Sequence, residues 1–355
     1  MSIIECQLKD ALELAYGKSL PERNRKEGIV PVYGSGGIGG YHSVPLVEGP
    51  GVIVGRKGTV GSVYFEKNDF FPIDTVYLVR PFLDKISLEY SYYLLKNLPL
   101  ASLNSDAAVP GLNRDRAYSL PIRLPSSDQQ SHIVKFLRSY DDLIENNRRR
   151  IQLLEESARL LYQEWFVHLR FPGHKQVKIT DGVPEGWSKE PLENLLVLQR
   201  GFDLPVSKRI EGSVPIYAST GINGFHNVAK VKGPGVVTGR SGSLGTVMYV
   251  AKDYWPLNTT LWVKEFKKAS PIFATYLLRA MKLEGYNGGA AVPTLNRNDV
   301  HKVDVLCPES KLMNEFEVQV ENIFKQIDKL KEYNEKLAQA RDLLLPKLMS
   351  GELTV

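Results

Sequence analysis

Between residues 133 and 165, apolar residues recur at alternating steps of four and three, the spacing of a helix that buries one narrow stripe against another helix. Asn147 is the one break in this stripe, and a second stretch from Phe316 to Leu348 repeats the pattern with Asn334 and Arg341 as polar members. The sequence therefore predicts two long coiled-coil helices. SSDQQ at Ser126 provides start signals for the first, and Gly351 marks the end of the second.

The segments before each helix contain short runs rich in β-branched residues and bounded by glycine or proline, which predict strands. These runs begin at Gly51, Ser62 and Thr75 in the first segment and at Gly235, Thr246 and Thr259 in the second. Helical spacing predicts one short helix in each segment, at 88–95 and 272–278. We expect each segment to be a mixed α/β unit.

The two segments are copies of one another. Residues 28–64 and 212–248 align without a gap at an offset of 184 and are identical at 20 of 37 positions. After one deletion the offset is 183, and AVPGLNR from Ala108 matches AVPTLNR from Ala291. A repeat of this length predicts two equivalent working surfaces in an α+β fold with an approximate twofold relation. The predicted divisions are a first unit (1–125), a first helix (126–170), a linker with the second unit (171–308) and a second helix (309–355).

The two helices are expected to pair with each other within the chain, since neither has another partner. About 40 residues at 1.5 Å each make a rod of roughly 60 Å. An antiparallel arrangement centred near Arg149 sets Asn147 opposite Asn334, where two facing amides could fix the register. The alternative is that each asparagine is an exposed defect in its stripe.

The composition is that of a globular protein. The chain has 355 residues, of which 43% are hydrophobic and 24% charged, and its net charge of +5 is compatible with nucleic acid without requiring it. Cys6 and Cys307 are isolated, so they predict neither a disulfide framework nor a zinc site, and a reducing compartment fits best. The N-terminus lacks the order of a secretory signal and no apolar run is long enough for a membrane helix, so we expect a cytoplasmic protein with no membrane partner.

GSGGIG from Gly34 to Gly39 has the spacing of a dinucleotide-binding loop. The second copy does not keep that spacing, because Ala218, Thr220 and Asn223 occupy three of the glycine positions. We therefore interpret both segments as turn-rich loops that display side chains.

Arginines at matching places in the two copies are candidates for contact with nucleic acid. Arg56 in GRKG and Arg240 in GRSG each follow a predicted strand, where a guanidinium could bind phosphate or a guanine edge, or could simply be a solvated surface group. The LNR motifs add Asn113 with Arg114 and Asn296 with Arg297, in which the asparagine could equally cap a helix.

Aromatic residues interleave with the glycines of the same loops. They could touch bases, although core packing is expected for at least one member of each set. The first set is Tyr33, Tyr41 and His42, and the second is Tyr217, Phe225 and His226.

Catalytic motifs are missing from the sequence. There is no Asn-Pro-Pro-aromatic run of the amino-methyltransferase type and no GxxxxGK[ST] phosphate loop. Asp304, Glu309 and Lys311 faintly resemble a nuclease cluster, but the first copy lacks the pattern and polarity at a helix start accounts for it.

The combination of VPVYGSGGIGGYH, GVIVGRKGTVG and AVPGLNR with the long helical stretch that follows resembles the specificity (S) subunit of type I restriction-modification systems. RFPGH at Arg170, DGVPEGW at Asp181 and LLLPKLMSGEL at Leu343 are further features of that family. The resemblance covers nearly the whole chain. One departure is Arg341, which stands where the first helix has Ala158, so the two helices are not interchangeable.

The resemblance implies two target recognition domains, each reading one half of a split DNA sequence. The helices would act as a spacer and as the docking site for two methyltransferase (M) subunits, with restriction (R) subunits joining the complex. The S subunit is implied to be non-catalytic and to hold no cofactor or metal; S-adenosylmethionine, ATP and Mg²⁺ are expected on partner subunits. Because loop residues differ between the copies, as Lys57 and Ser241 do, the target should be asymmetric.

The side chains expected to contact double-stranded DNA are backbone-binding cations, loop groups at base edges, and loop aromatics. The cations are Lys18, Arg25, Lys208 and Arg209; the loop groups are Ser35, Arg56, Lys57, Asn113, Arg114, Ser219, Thr220, Arg240, Ser241, Asn296 and Arg297; the aromatic and histidine candidates are Tyr33, Tyr41, His42, Tyr217, Phe225 and His226.

Two alternatives come from other functional classes. One is an enzyme, either a fragment of a fused type II nuclease-methyltransferase or a nucleotide-binding enzyme, against which the missing catalytic motifs count. The other is a coiled-coil interaction module that does not bind DNA. Salt-dependent binding to duplex DNA and capture of a methyltransferase partner would discriminate between them.

Overall fold

The computed structural model describes residues 3–103, 111–289 and 292–355. The repeated motifs AVPGLNR and AVPTLNR each begin outside the described residues, at 108–110 and at Ala291. The chain divides into two compact units: unit 1 comprises residues 1–147 and 331–355, and unit 2 comprises residues 148–330.

Unit 1 contains nine strands, two short helices and the first part of a long helix, all among its described residues. The strands are β1 (Ile4–Gln7), β2 (Leu12–Tyr16), β3 (Val30–Gly34), β4 (Gly37–His42), β5 (Gly51–Gly55), β6 (Val63–Glu66), β7 (Phe71–Pro72), β8 (Val76–Pro81) and β9 (Pro121–Leu124), and the helices are α1 (Leu88–Asn97), α2 (Arg114–Tyr118) and α3 (Ser127–Tyr162). They form a four-stranded sheet in the order β2-β8-β5-β6, a three-stranded sheet β4-β3-β7 and a pair β1-β9.

Unit 2 repeats this arrangement. Its strands are β10 (Ile179–Thr180), β11 (Val183–Pro184), β12 (Ser188–Pro191), β13 (Leu196–Arg200), β14 (Val214–Ala218), β15 (Gly221–His226), β16 (Gly235–Gly239), β17 (Val247–Val250), β18 (Trp255–Pro256), β19 (Thr260–Phe266) and β20 (Asp304–Cys307), and its helices are α4 (Pro271–Ala280), α5 (Arg297–His301) and α6 (Ser310–Ser350), the last of which ends in unit 1.

The sheets β13-β19-β16-β17, β15-β14-β18 and β12-β20 match those of unit 1 strand for strand. The internal repeat predicted from the sequence is therefore confirmed, and so is the mixed α/β character of each unit.

Helices α1 and α4 pack against the four-stranded sheets of their units, and they begin at equivalent serine caps. Ser87 Oγ accepts a hydrogen bond from the Tyr90 amide at 3.1 Å, and Ser270 Oγ accepts one from the Phe273 amide at 3.2 Å. Each cap satisfies an amide that the helix itself leaves unpaired. The buried faces of α1 and α4 then complete the core beneath each sheet.

The long helices α3 and α6 contain 36 and 41 residues. In unit 1, Ile133 and Leu137 of α3 share a core with Leu345 and Leu348 of α6, so the start of one helix lies beside the end of the other. In unit 2, the end of α3 lies beside the start of α6. There Phe316 is fully buried among the rings of Tyr162, Trp165 and Phe166, the last two in a π-helical turn that extends α3.

The structure brings Asn147 and Asn334 together. Asn147 is buried, and its Nδ2 donates a hydrogen bond to Asn334 Oδ1 over 3.0 Å. Each amide thereby satisfies part of the other's hydrogen-bonding capacity within an otherwise apolar stripe.

Replacing Asn147 alone with leucine should lower the free energy of unfolding by about 1–2 kcal/mol, because it leaves the Asn334 amide without this partner. Replacing both asparagines with leucine should restore stability while removing the preference for one register. Urea unfolding of the three chains checks this prediction, which a harmless single substitution would contradict.

A polar triad links α1 to both long helices in unit 1. Tyr93 Oη donates to Asp141 Oδ2 at 2.6 Å, and Arg341 Nη1 donates to Asp141 Oδ1. Burial and the bond to Asp141 raise the pKa of Tyr93, so its hydroxyl remains a donor. At the equivalent positions of unit 2 stand Tyr276, Phe324 and Ala158, which pack as an apolar group.

None of the helices in the described part of the chain has the length and apolar character needed to span a membrane. Among the same residues, no group of three or more His, Cys, Asp or Glu side chains is arranged to hold a metal ion.

Candidate nucleic-acid interface

The glycine-rich loops form tight hairpins. Ser35 and Gly36 alone connect β3 to β4, and Gly37 has a φ of +100°, while its equivalent Gly221 has a φ of +126°. This left-handed region favours glycine, which explains why Gly37 persists in both copies. The hairpin leads into a strand, whereas a dinucleotide-binding loop must lead into a helix N-terminus, so the cofactor interpretation of GSGGIG has no structural basis.

Three segments meet beside the hairpin in unit 1: residues 34–37, 55–62 and 111–114. The Ser35 carbonyl accepts hydrogen bonds from Ser62 Oγ at 2.6 Å and Tyr64 Oη at 3.1 Å. The Leu112 amide donates to the Arg56 carbonyl at 2.8 Å, and Lys57 bridges to Gly111. We call these three segments the loop edge of unit 1.

The loop edge of unit 2 consists of residues 218–221, 239–246 and 293–297. The Leu295 amide donates to the Arg240 carbonyl at 2.8 Å, Ser241 bridges to Thr294, and the Gly242 amide donates to the Pro293 carbonyl at 3.0 Å. Ser219 is buried against the turn after β16, whereas Thr220 is exposed. The same backbone scaffold therefore displays different side chains in the two units.

Cations without acidic partners line both loop edges. Arg56 Nε donates to the Asp74 carbonyl at 3.1 Å, and Arg240 Nη1 donates to the Asn258 carbonyl at 3.5 Å. Lys57 and Arg297 are exposed and Arg114 is half-buried. Within the described residues none of these five side chains forms an ion pair. Each edge therefore presents positive charge suited to phosphate or to a base-edge acceptor.

Two of the predicted backbone-binding arginines are engaged within their own units. Arg25 Nη1 donates to the Gly39 carbonyl at 2.5 Å, and Arg209 Nη1 donates to the Asn223 carbonyl at 2.6 Å. Gly40 has a φ of +134°, and a Cβ there would lie 2.7 Å from Arg25 Nη1. These guanidiniums hold the hairpins, and their contact with phosphate remains a prediction. Lys18 and Lys208 are exposed and available.

Four of the six aromatic and histidine candidates, two in each unit, are buried or half-buried, as core packing of at least one member of each set requires. Tyr33 is buried and its hydroxyl donates to Glu66 Oε2 at 2.8 Å, while Tyr217 is half-buried against the Tyr254 ring. The buried rings of His42 and His226 accept hydrogen bonds through Nδ1 from the Lys26 and Ile210 amides, at 2.9 and 3.0 Å. Their rings fill the inner side of each hairpin.

Tyr41 and Phe225 are the aromatic candidates that point outward, with 56% and 53% of their surface exposed. They occupy equivalent places on β4 and β15. Core packing and surface display are thus divided within each predicted set.

The two asparagines of the LNR motifs are helix caps, the role that the sequence left open beside contact with base edges, and the latter remains a prediction. Asn113 Oδ1 accepts hydrogen bonds from the Asp115 and Arg116 amides at 3.0 Å, and Asn296 Oδ1 accepts one from the Asn298 amide at 3.1 Å. The caps begin α2 and α5, and they place Arg114 and Arg297 in the first turn of those helices.

Sequence reasoning missed Tyr16 and Arg200, which end β2 and β13. Tyr16 is exposed beside Arg56 and Arg114, whose Cζ atoms each lie 5.1 Å from its ring centroid. Arg200 occupies the equivalent position in unit 2. The offset of 184 also pairs Gly17 with Gly201, and one position further back it pairs Tyr16 with Arg200.

Comparison with known proteins shows what this chain is similar to. Residues 5–156 match the family model described as the type I restriction modification DNA specificity domain. The MjaIX specificity subunit of Methanocaldococcus jannaschii is 24% identical over 338 residues, covering 86% of this chain and 78% of that protein. Over most of its length the chain is similar to the specificity subunits of type I restriction-modification systems.

Two further proteins are similar over most of the chain. The HindI specificity subunit of Haemophilus influenzae is 20% identical to this chain over 385 residues, covering 82% of this chain and 84% of the relative. The crystal structure of a type I S subunit from M. genitalium superposes with a TM-score of 0.57 at 17% identity, covering 98% of this chain and 96% of the other. At that identity the likeness shows a shared specificity-subunit fold.

Proposed function

We propose that this specificity subunit recognises an asymmetric, bipartite DNA sequence, with the loop edge of each unit reading one half. The observation that carries the proposal is that one backbone scaffold displays different side chains in the two units. On the loop edges Lys57 corresponds to Ser241, and on the adjoining strands Tyr41 corresponds to Phe225 and Tyr16 to Arg200. Equivalent scaffolds suit the equivalent geometry of two half-sites, and unlike side chains suit unlike bases.

The long helices are proposed to form one antiparallel coiled coil that sets the distance between the half-sites. Support comes from the contacts of α3 with α6 in each unit and from the hydrogen bond between Asn147 and Asn334. A helical spacer fixes half-site separation geometrically, as subunit spacing does in dimeric repressors.

Docking of two methyltransferase subunits is proposed on the outer faces of these helices, with restriction subunits joining that complex. Leu160 and Leu343 are exposed leucines at equivalent positions of α3 and α6. Exposed apolar residues retained at matching places suit two copies of the same partner. The specificity subunit would itself be non-catalytic, with S-adenosylmethionine, ATP and Mg²⁺ supplied through the partner subunits.

The proposal is tested in two steps. Methylation profiling of DNA from cells that carry the complete system reveals the modified motif, with both half-sites and the gap. Binding of the specificity subunit, alone and with its methyltransferase, is then measured on that duplex and on scrambled duplexes between 50 and 300 mM salt. Stronger, salt-dependent binding to the motif is expected. Equal affinity for every duplex would overturn the proposal.

The substitution Arg56→Ala should weaken binding to the native first half-site by roughly 1–3 kcal/mol, because it removes a two-pronged donor to a base edge. Affinity for a duplex in which that half-site is already replaced should change little. Arg240→Ala is the matched control, and its loss should follow the second half-site. An equal loss on all duplexes would show that Arg56 contacts only the DNA backbone.

A further inference from the structure

Tyr16 stacks with two cations in unit 1. The Cζ atoms of Arg56 and Arg114 each lie 5.1 Å from the Tyr16 ring centroid, within the range of a cation–π interaction. The Tyr16 ring packs against the ring of the buried Tyr77, with 5.2 Å between the two centroids. Tyr77 is fixed in turn by its hydroxyl, which donates to the Leu112 carbonyl at 3.2 Å. The two guanidiniums are therefore held beside one fixed aromatic plane.

Further contacts restrict the same two arginines. Arg56 Nε donates to the Asp74 carbonyl, and Arg114 also lies 5.8 Å from the Tyr118 ring. Tyr118 in turn accepts the Leu14 amide at 2.9 Å, which ties α2 to β2. An arginine held in this way loses less rotational freedom on binding than a free one, so it can present its donors to a base edge at low entropic cost.

Unit 2 has the same backbone without the aromatic clamp. Arg200 stands in place of Tyr16, Leu261 in place of Tyr77 and His301 in place of Tyr118, and His301 Nε2 still accepts the Leu198 amide at 2.9 Å. Arg200 pairs with Leu261 on β19, which pairs in turn with Thr238, two residues before Arg240. Within the described part of unit 2, no ring lies under Arg240 or Arg297.

The two units therefore carry the same number of cations in different places. Unit 1 places Arg56 and Arg114 around the neutral ring of Tyr16 and adds Lys57 on the loop edge, whereas unit 2 has Ser241 in place of Lys57 and adds Arg200 in place of the ring. Each cation that meets a phosphate releases condensed counterions and makes affinity more salt-dependent, without adding sequence information.

We propose that the residue at the end of the first strand of each four-stranded sheet sets how that unit reads DNA. Tyr16 is a positioning residue that orders Arg56 and Arg114 for base-edge recognition of one half-site. Arg200 is a DNA-binding residue that contacts the phosphate backbone of the other half-site. This inference rests on the proposed function and adds to it a difference between the halves: one is read by arginines ordered on a ring, and the other has an arginine in place of that ring.

The experiment uses the full chain with its methyltransferase, on duplexes that carry the native motif or a replaced first or second half-site. The variants are Tyr16→Leu, Tyr16→Phe and Arg200→Tyr. Lys189→Tyr, on the exposed surface of β12 outside the loop edge, is the control for removal of one positive charge. Tyr16 is 55% exposed and Arg200 is exposed, so these changes spare the buried core.

Tyr16→Leu is expected to reduce discrimination of the first half-site about fivefold, with an unchanged dependence on salt because no charge changes. Tyr16→Phe keeps the ring and should retain wild-type discrimination. Arg200→Tyr should reduce the slope of log affinity against log salt by about 0.9 and weaken native and replaced second half-sites alike, whereas Lys189→Tyr should leave the slope unchanged.

Undiminished discrimination by Tyr16→Leu, or an unchanged salt slope in Arg200→Tyr, would overturn the inference. Either result, obtained while the wild-type complex still prefers its motif, leaves the proposed function intact. A wild-type complex without preference for the motif would instead overturn the proposed function.

Discussion

Replacing Phe316 with alanine is expected to lower the free energy of unfolding of unit 2 by about 4 kcal/mol. Phe316 is fully buried, and its ring lies among five other aromatic rings, with centroid distances from 5.2 Å to Phe166 up to 6.5 Å to Phe273. Its removal opens a cavity that joins α6, α3 and α4, and the surrounding rings are too constrained to fill it.

Tryptophan fluorescence makes this prediction measurable in one unit, because all four tryptophans of the chain lie in unit 2: Trp165, Trp187, Trp255 and Trp262. In urea, the fluorescence transition of the Phe316→Ala chain should move to a clearly lower midpoint. Ile133→Ala is the matched control, since Ile133 is the buried residue at the equivalent place on α3 in unit 1. Its fluorescence transition should move less, although circular dichroism detects its loss of stability. An unmoved midpoint for Phe316→Ala would contradict the expected cavity.

The second large effect is expected for Arg341→Ala, which should lower the free energy of unfolding by about 2–3 kcal/mol. The Arg341 side chain is only 14% exposed, and its guanidinium is the cationic partner of Asp141. Without it, a partly buried carboxylate remains with the Tyr93 hydroxyl as its remaining donor in the triad. Most of the cost is thus the penalty of an unpaired charge rather than the value of the ion pair.

The apolar group of unit 2 suggests a second substitution that should offset the loss of stability in Arg341→Ala. Asp141→Phe combined with Arg341→Ala copies the apolar group of Phe324 and Ala158 into unit 1, so the double variant should recover most of the stability lost by Arg341→Ala. Urea unfolding followed by far-ultraviolet circular dichroism compares the single and double variants. A double variant as unstable as Arg341→Ala would show that the two units do not share a common packing geometry at this position.

The larger features of the fold could be predicted because they depend on local patterns. The run predicted at Gly51 is β5 to the residue, and the helix predicted at 88–95 is α1, which extends two residues further. The sequence predicts a loop where the structure has β4, because three of the six residues of this strand are glycine and glycine is depleted in strands. The pair β1-β9 joins residues more than a hundred positions apart, which no local pattern reveals.

The candidate site was predictable in its location and less so in its details. The repeat predicts which loops form the candidate site, but the difference between Arg25, which holds a hairpin, and Arg56, which lies on the loop edge, depends on which carbonyl each side chain reaches in the folded chain. The sequence leaves Asn113 and Asn296 open between capping and DNA contact; hydrogen bonds in the folded chain show the caps, and DNA contact remains a prediction. No local pattern identifies Tyr16, because the arginines that its ring contacts, Arg56 and Arg114, are distant in sequence.

The polar triad of unit 1 and the apolar group of unit 2 each contain a tyrosine, since Tyr93 and Tyr276 occupy equivalent places. A tyrosine satisfies either surroundings, with its hydroxyl toward a carboxylate or its ring against a phenylalanine. A gene fragment that encodes the surroundings of one of these tyrosines can therefore replace the corresponding fragment of the other unit without redesign of this contact.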